Sequence, residues 1–163
     1  MKTLLIVFHT MTGGSQQMAE AAQRGATAEA DVIVRLLRAE AAHGDDVLQA
    51  DGYLFVTPEN LASMSGMMKD FFDRTYYAAL DQVAGRPYAA LICAGSDGAN
   101  AARQIERICT GWRLKPVGEA VIVCTHAQTT AAILAPKTIP PDALRRCEET
   151  GAALAAGLAL GIF

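Results

Sequence analysis

Four short runs of unbroken apolar residues punctuate the chain: Leu4–Phe8, Tyr53–Val56, Ala89–Ala94 and Ala120–Cys124. Runs this short and this continuous fit strands buried on both faces of a parallel sheet, where neither face meets water. A fifth segment, Asp31–Leu36, alternates more and is flanked by polar residues, which predicts an edge strand. Between the runs the apolar period lengthens. Met18, Ala21, Ala22 and Gly25 fall at i, i+3, i+4 and i+7, as do Met68, Phe71, Phe72, Thr75, Tyr76 and Ala79. Ala101, Ala102, Ile105, Ile108, Cys109 and Trp112 form a third stripe. A fourth runs from Pro141 or Asp142 through Leu144, Cys147, Gly151, Leu154 and Leu158. Such stripes are the core faces of amphipathic helices, and a short further helix is expected near Asp45–Gln49. On this pattern Trp112 belongs to the core or an interface, and Tyr76 and Tyr77 anchor their helix in the same way.

Strand and helix alternate, which predicts five βα units, an α/β fold with a doubly wound five-stranded parallel sheet, and helices on both faces in three α/β/α layers. The 163 residues are one domain's worth, with no repeat and no linker. The least regular stretch is Thr125–Pro140, after the fifth strand, a segment able to line a site or to make a subunit contact.

Composition narrows the class. Apolar residues are 52% and charged residues 19%, a globular balance. Alanine, about a fifth of the chain, favours closely packed helices. The net charge is only −3 and the basic residues are scattered, so no nucleic-acid surface is expected. None of the four cysteines forms a C-x-x-C pair, which argues against a zinc or dithiol site; Cys93 and Cys124 read as small buried hydrophobes. The first apolar run turns polar after Phe8, too soon for a signal peptide. The apolar stretch Ala152–Phe163 is shorter than the ~20 residues of a membrane span. A soluble cytoplasmic protein is the expectation.

In a doubly wound sheet, ligands bind beyond the carboxyl ends of the strands, so the segments after each strand carry the chemistry. After the first comes Thr10-Met11-Thr12-Gly13-Gly14-Ser15. Its glycines let backbone amides converge, its hydroxyls can donate, and a helix N-terminus follows, all of which suits an anion. It contains no Lys or Arg and matches neither the Walker pattern nor G-x-G-x-x-G. The plain structural alternative is a helix start capped by Ser15. After the third strand comes a long polar loop, Thr57-Pro58-Glu59-Asn60-Leu61-Ala62-Ser63, then a helix starting near Ser65. After the fourth comes Gly95-Ser96-Asp97-Gly98. Each of these has the bland reading of a turn and cap; three at one sheet edge are more telling than any one.

The first loop resembles the Thr/Ser-x-Thr-Gly-x-Thr/Ser phosphate loop of flavodoxin-like proteins. The stretch from Thr57-Pro58-Glu59-Asn60 through Met64-Ser65-Gly66-Met67-Met68-Lys69-Asp70-Phe71-Phe72 is similar to that of NAD(P)H-dependent FMN reductases and NAD(P)H:quinone oxidoreductases of the same fold. The third loop, followed by Ile105, Cys109 and Trp112-Arg113-Leu114-Lys115-Pro116-Val117-Gly118, is similar to their fourth-strand region. The resemblance extends to about Cys124. It implies a flavodoxin-like strand order, 2-1-3-4-5, and FMN as cofactor. The phosphate would lie on Thr10, Thr12, Gly13, Gly14 and Ser15, with Met11 beside it. The ring would lie among Pro58, Glu59, Asn60, Leu61, Ala62 and Ser63 on one side and Ser96, Asp97 and Gly98 on the other. Asn60-Leu61 stands where many relatives carry a tyrosine. NAD(P)H is the implied donor, with a quinone, a flavin or a similar small molecule as acceptor. His126 is the candidate proton donor, with His9 behind it. The rival reading is a flavodoxin-type electron carrier or a flavin-binding module without turnover. The modest charge and the absence of loop aromatics favour the reductase. Relatives of this kind also imply a homodimer or homotetramer.

Overall fold

The computed structural model describes all residues, Met1–Phe163. In chain order they form β1 (Lys2–Phe8), α1 (Gly14–Ala26), β2 (Val32–Arg38), a 3-10 turn (Ala39–Ala41), α2 (Gly44–Gln49), β3 (Gly52–Asn60), β4 (Ser63–Met64), α3 (Gly66–Ala79), β5 (Pro87–Ala94), α4 (Ala99–Gly111), β6 (Lys115–Pro116), β7 (Val121–Cys124), α5 (Thr130–Leu134) and α6 (Pro141–Leu160). The sheet runs β2-β1-β3-β5 in parallel, and β6 and β7 both pair with the outer edge of β5. This is the expected 2-1-3-4-5 order of a flavodoxin-like α/β fold, with the fifth strand split in two. The β6 ladder ends where the Val117 N–H donates to the Tyr88 carbonyl at 2.8 Å. The chain then leaves the sheet through Gly118, at φ +87°, and rejoins it at Val121.

Successive strand residues face opposite layers. Leu5, Val7, Tyr53, Phe55 and Ile92 join one core with Phe71, Phe72, Ile105 and Trp112 of the α2–α3–α4 side. Leu4, Ile6, Leu54, Val56 and Leu91 join the other, with Met18, Ala22, Cys147 and Leu154 of the α1–α6 side. The first core is aromatic: the Phe55 and Phe72 rings sit 4.9 Å apart and Phe72 meets Trp112 at 5.5 Å. Trp112 is therefore a core residue. The second core is built on small residues. A Cβ on Gly25 would lie 2.0 Å from the Glu148 carbonyl oxygen, and one on Gly151 would lie 2.0 Å from that of Ala22. The abundant alanine and these two glycines let α1 and α6 approach backbone to backbone.

Three expectations change. Tyr76 and Tyr77 lie on the solvent side of α3, 42% and 83% exposed, and anchor nothing in the core. Cys124 is half-buried, its thiol donating to the Asp97 carbonyl at 3.7 Å, whereas Cys93 is buried as expected. The long loop after the third strand is a hairpin. β3 runs on to Asn60, Leu61 and Ala62 make the turn, and β4 returns antiparallel with Glu59 opposite Met64. No helix is long and apolar enough to cross a membrane.

The amino end of the sheet is saturated. Arg86 donates from one guanidinium nitrogen to the carbonyls of Val47, Leu48 and Ala50 and to the Tyr53 hydroxyl, at 2.5–3.1 Å. Beside it, the Asp51 carboxylate accepts from the Thr3 N–H at 2.8 Å and from the Lys2 ammonium at 3.0 Å. Burial pushes the Asp51 carboxyl up, but the Thr3 N–H, Lys2 and Arg86 outweigh it and hold it below the usual carboxylate range.

Candidate functional site

The carboxyl edge of the sheet opens into a cleft of about 450 Å³, within the span of small-molecule sites. Three segments wall it: Thr10–Ser15 between β1 and α1, the Pro58–Ala62 hairpin, and Gly95–Ser96 after β5. Cys93 and Ala94 from β5 also line it. Thr125, Ala127, Ile133, Leu134 and Lys137 form a fourth wall, so the irregular segment after the last strand lines the site.

Of the residues expected to hold a cofactor, all but Gly13, Ser63, Asp97 and Gly98 line this cleft. The four exceptions shape it instead. Gly13 is the residue before α1, at φ +93°, and its N–H donates to Thr10 Oγ1 at 2.9 Å. The Ser63 hydroxyl bonds Gln104 at 3.1 Å. Asp97 accepts from Ala99 N–H at 3.1 Å, and Gly98 opens α4 at φ +87°. His126 is exposed in the left-handed region (φ +58°), its N–H bonded to the Gly95 carbonyl at 2.8 Å, and it does not line the cleft.

Ser15 caps nothing. The cap position belongs to Gly13 and no side chain closes the helix start, which removes the plain reading of that serine. The N–H groups of Gly14, Ser15 and Gln16 have no acceptor in the chain. Ser15 Oγ is buried without any hydrogen-bond partner, an uncommon state for a polar atom. A Cβ on Gly14 would come 2.6 Å from Cys93 Sγ, so only glycine lets the loop settle on the end of β5. Burial pushes the Cys93 thiol up to about 11, against a smaller downward pull from Lys137, so it remains a neutral floor for the site.

The hairpin is held from behind by α4. Glu59 Oε1 accepts from Gly98 N–H at 2.8 Å and Oε2 from Ala101 N–H at 3.1 Å. Gln104 accepts from Met64 N–H at 2.8 Å, and Asn100 donates to the Ala62 carbonyl at 2.5 Å. The Glu59 carboxylate lines the cleft while its oxygens accept from the start of α4. Leu61 (φ +52°) and Ala62 (φ +61°) both adopt left-handed backbone, the primed turn a two-residue hairpin prefers but one that favours Asn-Gly. Leu61 is fully exposed, and with Met11, Ile133 and Leu134 it gives the cleft an apolar, non-aromatic mouth.

His9 lies behind the first loop. Its Nδ1 sits 2.8 Å from Ser65 Oγ, the hydroxyl that caps α3 by accepting from Met68 N–H. Burial lowers its pKa, Glu40 pulls the other way, and Arg38 adds to the lowering.

One element of the site was invisible locally. Lys137, the sole Lys or Arg among the lining residues, arrives from a segment 122 residues beyond Ser15 in the chain and lies against the anion loop. Its N–H donates to the Thr12 carbonyl at 2.8 Å and its own carbonyl accepts from Gln17 Nε2 at 2.7 Å. The same Gln17 accepts from Ile139 N–H at 3.0 Å. Nothing in the sequence around Gln17 or Lys137 marks that pairing.

A doubly wound sheet with a glycine-turned, uncapped helix start at its carboxyl edge defines a flavodoxin-like protein with an anion-receptive cleft. Residues 39–129, more than half of the chain, match the model of the NADPH-dependent FMN reductase family, and the chain belongs to that family of flavin-binding oxidoreductases. The match begins after the Thr10–Ser15 loop, whose reading stands on its own geometry. A NAD(P)H dehydrogenase (quinone) of Acidithiobacillus ferrooxidans is 32% identical over 46% of this chain and 48% of its own length. A flavodoxin of Aquifex aeolicus is 38% identical over 45% of this chain and 40% of its own. The chain thus spans about half the length of the curated relatives it matches. A solved archaeal flavodoxin superposes with a TM-score of 0.78 at 18% identity, covering 96% of this chain and 98% of that one. That likeness defines the fold.

Proposed function

We propose that this chain is a single flavodoxin-like domain that holds FMN in the cleft and passes electrons from NAD(P)H to a small acceptor, a quinone or a flavin. The observation that carries the reading is the start of α1, where unpartnered N–H groups and the orphaned Ser15 hydroxyl meet in the wall of a flavin-sized cleft. A phosphate supplies the acceptors these donors lack. Thr10, Thr12 and Ser15 would hold it with the amides of Gly14 and Ser15. The hairpin of Pro58–Ala62 and the Gly95–Ser96 loop would flank the ring. When bound, the flavin supplies the two-electron and one-electron chemistry, and the protein supplies binding, orientation and electrostatics.

The residues around the mouth favour turnover of a small molecule over docking of a protein carrier's partner. Met11, Leu61, Ile133 and Leu134 offer an apolar rim on which a planar nicotinamide or quinone can lie. Glu59 is engaged by α4, and neither His9 nor His126 lines the cleft, so neither a carboxylate nor an imidazole of the lining is placed to deliver a proton to a reduced acceptor.

The test is a visible spectrum of purified protein after loading with FMN and removing the excess. One flavin per chain, bleached by NAD(P)H and restored by a quinone, is expected. Flavin bands that NAD(P)H leaves untouched would replace the reductase with a carrier or module; a colourless protein would remove the FMN site.

A further inference from the structure

We infer that Lys137 is a phosphate-recognition residue that makes this cleft select phosphorylated over unphosphorylated flavin, adding a mobile charge to an otherwise neutral anion loop. The inference rests on the FMN reading above. Three observations carry it. First, the backbone of Lys137 is fixed to the anion loop on both sides, by the bond to Thr12 and by the Gln17 bridge. Its Cβ lies 3.6 Å from where a Cβ of Gly14 would stand, which puts the root of the side chain on the first residue of α1. Second, Lys137 is the only cationic residue lining the cleft, and the one carboxylate there, Glu59, is already committed to α4. No internal acid competes for the ammonium group. Third, its Nζ now rests on two main-chain carbonyls, Ile133 at 2.8 Å and Ala135 at 2.5 Å. Both bonds are solvent-exposed.

Those carbonyls are neutral acceptors. A charge-assisted bond to a phosphate is roughly twice as strong as a neutral one, and the flexible four-carbon stem lets the ammonium reorient without moving the backbone. The bonds to Ile133 and Ala135 are therefore a resting position, and a phosphate at the start of α1 draws the ammonium across. Ser15 Oγ, 1% exposed and unpartnered, marks where that anion sits. The alternative is that Lys137 does no more than tie off α5.

Flavin fluorescence titrations at two ionic strengths separate these roles without any turnover. Wild-type protein and Lys137→Met are each titrated with FMN and with riboflavin, and denaturant unfolding checks that both are folded. The expected result is that Lys137→Met weakens FMN about 5- to 20-fold, leaves riboflavin unchanged, and flattens the salt dependence of FMN binding, with Lys137→Arg restoring all three. FMN affinity and salt dependence equal to wild type would overturn the assignment. Equal weakening of FMN and riboflavin would also overturn it, in favour of a structural tie. A wild-type protein that binds neither flavin would instead remove the cofactor reading beneath it. Riboflavin bound as tightly as FMN by the wild type would spare the cleft but remove the phosphate site.

Discussion

Two helices of equal length start at the same edge of this sheet, and they start in the same way. α1 and α4 each span 13 residues and each follows a left-handed glycine, Gly13 at φ +93°, ψ −10° and Gly98 at φ +87°, ψ −14°. Their surroundings differ. The start of α4 carries an anion supplied by the protein, since Glu59 accepts from Gly98 and Ala101 and Asp97 accepts from Ala99. The start of α1 carries none, and it adds a buried hydroxyl without a partner and a lysine resting alongside. The positive end of a helix dipole is stabilised by a nearby negative charge. At α4 the chain satisfies that preference once and permanently. At α1 the preference is left open inside a cleft, the feature on which the proposed phosphate site rests.

The largest test of the comparison removes the glycines. At Gly98 a Cβ would lie 2.6 Å from Ile122 Cγ2, so Gly98→Ala meets both the left-handed penalty and a clash against the sheet. A loss of roughly 3–4 kcal/mol in urea unfolding is expected. At Gly13 the nearest atom to a new Cβ is Gln17 Nε2 at 3.7 Å. Gly13→Ala should therefore cost only the backbone term, about 1–2 kcal/mol. Equal losses would mean that the two helix starts are packed alike.

A smaller pair should move in opposite directions. Glu59→Ala removes one of the two carboxylates at the start of α4 and leaves the Gly98 and Ala101 N–H groups unanswered, with an expected loss of about 2 kcal/mol that added FMN does not single out. Ser15→Ala removes a hydroxyl that has no partner, so the flavin-free protein should be unchanged or more stable by up to about 1 kcal/mol. The same change should weaken FMN about 10-fold, the value of one charge-assisted bond. Thermal unfolding with and without FMN reads both. A flavin-free Ser15→Ala protein as damaged as Glu59→Ala would show that Ser15 is structural after all.

What the sequence disclosed follows the same divide. β1, β3 and β5 were legible because burial on both faces forces unbroken apolar runs, and the helices because their core stripes keep a period near 3.6. The loop after β1 was readable as a candidate anion site because its glycines, hydroxyls and helix start are contiguous. What escaped was non-local. Glu59 reads locally as a loop residue, and only the placement of α4 turns it into a cap. Lys137 lies in a segment with no periodicity, and only the Gln17 bridge brings it to the loop. The hairpin escaped for a different reason: Leu61-Ala62 lacks the Asn-Gly signature of a two-residue turn, and bonds from Asn100 and Gln104 enforce it instead.

A third helix start at this edge sharpens the comparison by pH. α3 is capped by a neutral group, the Ser65 hydroxyl, which also faces His9 Nδ1. With Nδ1 unprotonated, that hydroxyl donates to the ring while accepting from Met68 N–H. Protonating His9 would turn Nδ1 from acceptor to donor, so the Ser65 hydroxyl would have to redirect its own proton, toward Thr57 Oγ1 at 3.2 Å. Burial, reinforced by Arg38 and opposed by Glu40, already lowers the His9 pKa below 6.5. The unfolded chain therefore takes up a proton near pH 6.5 that the folded chain refuses. Above that pH His9 costs nothing; as pH falls through 6.5 stability declines, and the decline ends below the folded value. Asp46 and Asp51 do not overlap with this window, because both are held below the ordinary 3.8 and withdraw their contribution only in more acid solution. Urea unfolding between pH 7.5 and 5.5 should show a downward slope in the wild type. His9→Asn, which keeps an acceptor for Ser65 but cannot titrate, should flatten it. A slope unchanged in His9→Asn would place the proton elsewhere and leave the α3 cap indifferent to pH.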